Sequence, residues 1–241
     1  MKLHVYKDVE GVTASAAALF SACILEKPSC VLGLATGSTP VAIYKRLGEL
    51  CRSGVLDFSD VKTYNLDEYV GLDHEHEQSY YRFMKENLFQ YVNIDMNNVH
   101  VPYGAAPDLV QECRDYERAI DKASGIDLQI LGIGHNGHIA FNEPADAFSN
   151  VTQIVDLTPS TIEANTRFFD CSADVPRQAL STGIGTIMRA RKIVMVCTGE
   201  GKAQAVYDMV RGPVTPKCPA SILQFHPNVI VILDEAAAAM L

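Results

Sequence analysis

The stretch that decides the fold is Asp127-Leu-Gln-Ile-Leu-Gly-Ile-Gly-His-Asn-Gly-His-Ile-Ala-Phe-Asn-Glu-Pro144. Residues 127–132 form a short apolar run that ends in glycine. Two histidines, two asparagines and a glutamate then fall within nine residues. A continuous apolar run of this length reads as a strand buried on both faces. A dense polar set directly after it has little structural purpose. Loops beyond buried strands are where α/β proteins keep their chemistry.

Working outward, the same alternation recurs along the chain. Residues 2–6, 30–35, 61–66, 191–198 and 228–233 read as strands, and residues 8–26, 40–53, 78–91, 108–124 and 200–211 as amphipathic helices. Pro40 suits a first helical turn, and the alanine-rich residues 235–241 read as a short terminal helix. Apolar runs alternating with helices predict an α/β fold, a mostly parallel sheet with helices on both faces, formed by residues 1–241 as one domain. In such a sheet ligands bind beyond the carboxyl ends of the strands. Thr36-Gly-Ser-Thr39 follows the second run, Asp67-Glu-Tyr69 the third, and Gly199-Glu-Gly-Lys202 the run at 191–198. One fold rule therefore places these groups and the 132–144 loop on the same edge.

Bulk properties narrow the partners. A net charge of −9 argues against a nucleic-acid surface, which needs clustered Lys and Arg. It leaves room for a local phosphate site, which needs only a few cations. The seven cysteines are scattered without a C-x-x-C pair, so they read as reduced thiols of a cytoplasmic protein. Met1 leads straight into a strand-like run rather than a signal peptide. No apolar run approaches the roughly 18 residues of a membrane span, so no membrane partner is expected.

Each cluster has a chemical and a structural reading. Thr36-Gly-Ser-Thr-Pro40 offers free backbone N–H groups at a helix start, which favour an anion, but it also fits a glycine turn with hydroxyl capping. It matches neither nucleotide-binding glycine motif. Lys202 at a helix start opposes the helix dipole and would suit a phosphate, or it is a solvated surface lysine. Arg167 is a second candidate cation. Asp67 and Glu68 end a strand and point to opposite faces, so only one can face a cleft as a general base. The other use for such a carboxylate is capping or a salt bridge. His135 and His138, with His74 and His76 elsewhere, raise a zinc reading, but H-E-x-x-H is absent and Gly137 suits a turn better than a metal-holding helix. His138 with Glu143 looks more like an oriented imidazole, since a nearby carboxylate fixes a tautomer and makes the ring more basic.

Together these residues resemble the glucosamine-6-phosphate deaminase (isomerase) family. The resemblance rests on Gly33-Leu-Ala-Thr-Gly-Ser-Thr-Pro40, Tyr64-Asn-Leu-Asp-Glu-Tyr-Val-Gly71, Ser79-Tyr-Tyr81, Gly132 to Pro144, Arg167-Phe-Phe-Asp170 and Lys202, and it runs over roughly residues 1–235. It implies a Rossmann-like fold, no cofactor and no metal, and conversion of D-glucosamine 6-phosphate and water to D-fructose 6-phosphate and ammonia in amino-sugar catabolism. By position, Asp67 would move the proton from C2 to C1. His138 would open the sugar ring, with Glu143 and Asn136 orienting it. Gly37, Ser38, Thr39, Arg167 and Lys202 would hold the phosphate.

Two departures matter. Many relatives carry Asp where this chain has Asn136, so Glu143 is left as the only anion in the loop beside His138. Hexameric, allosterically activated members have basic residues after the Asn-Glu-Pro motif and a longer C-terminus. Here Thr152-Gln-Ile-Val-Asp156 has no Lys or Arg. The expectation is a monomer or small homo-oligomer without activation by N-acetylglucosamine 6-phosphate. The rival readings are a 6-phosphogluconolactonase and a sugar-phosphate-binding regulator without catalysis.

Overall fold

The computed structural model describes residues 1–166, 169 and 174–241, the side chains of 160, 164 and 165 excepted. The apolar runs become β1 (Lys2–Tyr6), β2 (Val31–Leu34), β3 (Lys62–Asn65), β6 (Leu128–Leu131), β9 (Ile193–Cys197) and β10 (Val229–Asp234). With the two-residue β5 (Val99–His100) they form one seven-stranded sheet, order β1-β10-β9-β6-β2-β3-β5, in which every pairing is parallel. Val229 pairs Ile193 and Leu32 pairs Leu128, so the central strands lie in close register and are buried throughout.

The helices are α1 (Val9–Glu26), α2 (Ser38–Arg52), α3 (Tyr80–Asn87), α4 (Leu109–Lys122), α5 (Pro159–Asn165), α6 (Ile184–Met188) and α7 (Ala203–Arg211). Connections through α1 and α2 step across the sheet in one direction and those through α4 and α7 in the other. Right-handed crossovers in opposite directions put their helices on opposite faces. The expected Rossmann-like α/β architecture is therefore present. Asp8 caps α1, accepting from Gly11 N at 3.1 Å. From there Val12, Ala16, Phe20 and Ile24 bury one stripe against α2, β9 and β10.

Several expectations need correction. Helix α1 is 18 residues long with a mean hydropathy of 1.4, so by length and composition it does reach the range of a membrane span. In the structure it flanks the parallel sheet, with one buried stripe packed on α2, β9 and β10. The segment expected to be helical at 78–91 ends at Asn87 and continues as a 3-10 turn, Phe89–Tyr91. Residues 235–240 form turns rather than a helix: Ala238 N donates to Asp234 O at 3.1 Å, but the next bonds, Ala239 N to Ala236 O and Leu241 N to Ala238 O, span only three residues. A second, antiparallel sheet of β4 (Asp67–Tyr69), β8 (Gln178–Ser181) and β7 (Gln153–Asp156) lies beside the first. It carries Asp67 out of β3 and onto a cleft wall.

Candidate active site

A cleft of about 980 Å³ opens at the carboxyl ends of β2, β3, β6 and β9. Thr36 to Thr39, Asp67, His138 and Lys202 all line it, so four chain segments far apart in sequence converge as the fold rule requires. Arg167, and with it Phe168 and Asp170, lies outside the described residues.

The α2 end of the cleft is a backbone site. Gly37 is the N-cap of α2 at φ 107°, ψ 177°, a conformation open to glycine at no steric cost, and among the described residues no side chain caps the helix. The hydroxyl-capping alternative therefore falls, and the first-turn N–H groups stay available to an anion. Lys202 closes a 3-10 turn, Glu200–Lys202, and makes no ion pair among the described residues. Burial holds its ammonium below the usual lysine range. Two contacts fix this turn. Asp234, at the end of β10, accepts from Gly199 N at 3.0 and 2.9 Å. His135 Nδ1 lies 2.8 Å from Gly201 O. His135 is therefore a tether between the two loops.

Asp67 and Glu68 divide as strand alternation demands. Glu68 is fully buried and turns away from the cleft, accepting from Tyr69 N, Tyr80 N and Tyr81 N at 2.9, 2.9 and 3.0 Å. It holds the start of α3, where Ser79 also caps by accepting from Arg82 N. Asp67 lines the cleft at 7% exposure, without a hydrogen bond from any described residue. Burial, with the neighbouring Glu68 charge, pushes its carboxyl up to about 8. Such a group both takes and returns a proton near neutrality.

The opposite wall is the loop after β6. Gly134 N donates to His138 O at 2.9 Å and Gly137 N to Gly134 O at 3.1 Å, which closes the loop on itself. A Cβ on Gly134 would occupy the His138 ring, so glycine here is the seat of the imidazole. Asn142 has a structural use, not a chemical one. Its Nδ2 donates to Ile139 O and Thr182 O, both at 2.9 Å, and pins the loop to the end of β8.

His138 Nδ1 lies 3.1 Å from Glu143 Oε1, close enough for an ion pair, although the ring N–H is not aligned for a hydrogen bond. Asn136 Nδ2 donates to Glu143 Oε2 at 2.6 Å, and Asn136 Oδ1 accepts from His138 N at 3.2 Å. Asn136 thus grips both members of the pair. Thr161 Oγ1 adds a hydrogen bond to Glu143 Oε1 at 2.9 Å. Burial alone would raise Glu143, but His138, Asn136 and Thr161 together bring it below the usual carboxylate range. Thr161 could not be found by motif: it stands 18 residues from Glu143 on another element. His74 and His76 take no part here, since His74 stacks on Tyr81 at 4.0 Å and does not line the cleft.

The model of the family described as glucosamine-6-phosphate isomerases/6-phosphogluconolactonase matches residues 8–231. A glucosamine-6-phosphate deaminase of Clostridioides difficile (strain 630) is 52% identical over 241 residues, which is 100% of this chain and 97% of that protein. One from Thermoanaerobacter pseudethanolicus (strain ATCC 33223 / 39E) is 50% identical, covering 100% and 95%. Among solved structures, a monomeric glucosamine-6-phosphate deaminase superposes with a TM-score of 0.97 at 39% identity, covering 100% of both chains. A 6-phosphogluconolactonase of Thermotoga maritima reaches a TM-score of 0.77 at 20% identity over 97% and 99% of the two chains, a likeness of fold alone. With a family model spanning almost its whole length and relatives half identical from end to end, the chain belongs to the glucosamine-6-phosphate isomerase/6-phosphogluconolactonase family.

Proposed function

We propose that this protein is a glucosamine-6-phosphate deaminase, converting D-glucosamine 6-phosphate and water to D-fructose 6-phosphate and ammonia in amino-sugar catabolism. The observation that carries this reading is the sharing of one cleft by Asp67, His138 and an uncapped helix start with Lys202. An aldose-to-ketose shift needs a base near C1 and C2, a separate proton carrier at the ring oxygen, and a remote handle. His138 moves a proton onto or off the ring oxygen, steadied by Glu143 and Asn136. Asp67 takes the C2 proton of the open-chain sugar and returns it to C1, leaving an imine at C2. Water adds to that imine and ammonia leaves. The phosphate sits on the backbone of Gly37, Ser38 and Thr39 with Lys202 and Arg167, and its binding energy positions the reacting carbons.

Residues 1–241 act as one domain, a reading supported by family relatives aligned over the whole length. The likeness to a monomeric deaminase supports a monomer or small homo-oligomer, and a cytoplasmic place follows from the metabolic role. Ammonia release from glucosamine 6-phosphate by the pure protein tests the reading. A lactonase would instead hydrolyse 6-phosphogluconolactone, and a regulator would bind sugar phosphate without turnover. No ammonia above the uncatalysed rate would reject the deaminase.

A further inference from the structure

Glu143 is held by three groups, and one of them comes from outside its own loop. Oε2 is taken by Asn136. Oε1 is approached twice: Thr161 Oγ1 donates at 2.9 Å, and His138 Nδ1 stands 3.1 Å away without hydrogen-bond alignment. The Thr161 hydroxyl is itself fixed. Thr158, the N-cap of α5, accepts from Thr161 N at 3.2 Å, and the two hydroxyls share a hydrogen bond at 2.9 Å. A hydroxyl has one proton to give. With that proton on Glu143, the shared bond must run from Thr158 to Thr161.

We infer that Thr161 is a positioning residue for the ring-opening step: its hydroxyl holds Oε1 of Glu143 off the line of the His138 ring N–H and so sets how tightly that carboxylate grips the imidazole. The inference rests on the reading of His138 as the ring-opening group. A carboxylate oxygen shared between two donors gives each of them less. The other charged or titratable groups lining the cleft are Asp67 and Tyr69 from β4, Glu77, Tyr80 and Glu86 at and before α3, His135 from the same loop, Cys197 from β9 and Lys202 from the turn after it. None of these bonds to Thr161, so a change at position 161 leaves them in place.

The test is an NMR titration of His138, assigned with H138Q, in the wild type, T161V, T161A and T161S. Valine keeps the shape and removes the O–H. Freed of the competitor, Oε1 turns to the imidazolium. The His138 titration midpoint is expected to rise by at least about half a pH unit in T161V and T161A, and to stay within about 0.2 unit of wild type in T161S, which restores the hydroxyl. The remaining histidine signals report whether each variant is folded, and T161A stands in if valine does not fit. An unchanged or lowered midpoint in the folded variants, or a T161S shift equal to that of T161V, overturns the inference. This readout does not use ammonia release, so an inactive wild type would reject the deaminase reading and leave the comparison of midpoints standing.

Discussion

Replacing Asp67 by Asn should make the protein inactive and more stable at once. The carboxyl is 7% exposed and is pushed from 3.8 to about 8 by burial and by Glu68. Because the folded value is the higher one, the unfolded chain releases this proton first. The stability tied to the protonated group is complete below about pH 4, is lost as pH rises toward about 8, and is flat above that. At pH 7 roughly three pH units lie above the unfolded value, each worth about 1.4 kcal/mol, so the penalty is at most about 4 kcal/mol. Water at the cleft mouth reduces it, and a gain of about 1–4 kcal/mol is expected for Asp67→Asn. For a chain of this size that raises Tm by at least about 3 °C at pH 7. At pH 5 the gain should fall to less than half. Thermal unfolding of both proteins at pH 5, 7 and 8.5 measures this, and C2-proton exchange measures the loss of function. Equal stability at pH 7, or a gain that does not depend on pH, would refute the electrostatic argument; exchange at the wild-type rate would remove Asp67 as the base.

Other positions give sharper functional contrasts. Lys202→Ala should raise KM for glucosamine 6-phosphate by about 10- to 100-fold with kcat changed far less, the signature of a lost charge-assisted phosphate contact; an unchanged KM would exclude Lys202 from the phosphate site. Gly134→Ala should cut kcat by at least about 100-fold, because the new methyl takes the space of the His138 ring, and near-normal turnover would show that the imidazole has another seat. Saturation curves should be hyperbolic with and without N-acetylglucosamine 6-phosphate, since Gln153–Asp156 is committed to the small sheet and carries no cation. A sigmoidal curve straightened by that ligand would contradict this.

The parallel sheet was legible in the sequence because strands buried on both faces must be apolar throughout, as Val229–Leu233 and Ile193–Cys197 are. The small antiparallel sheet was not. Asp67-Glu-Tyr, Gln153-Ile-Val-Asp and Gln178-Ala-Leu-Ser are short and partly polar, and their pairing joins segments up to 114 positions apart, Asp67 with Ser181. The division of labour between Asp67 and Glu68 could be foreseen, because strand alternation is a local rule. Thr161 and Asp234 could not, since each acts on a residue that only the fold brings near. The tethering role of His135 was hidden for the same reason: its partner is a backbone carbonyl, which leaves no trace in side-chain motifs.

The place of β10 between β1 and β9 bears on how the protein is made. Strand β1 leaves the ribosome well before β10, yet among the described residues its only neighbour in the sheet is residues 229–234. At synthesis rates of about 5–20 residues per second, Lys2–Tyr6 waits on the order of 10–45 s for a partner. During that wait Leu3 and Val5 stand on an unpaired edge, the form most open to pairing with a stranger. The flanking Lys2, His4 and Lys7 put polar and cationic side chains along that edge. Charges of this kind disfavour pairing with a foreign strand, at a stage when the finished enzyme's cleft does not yet exist.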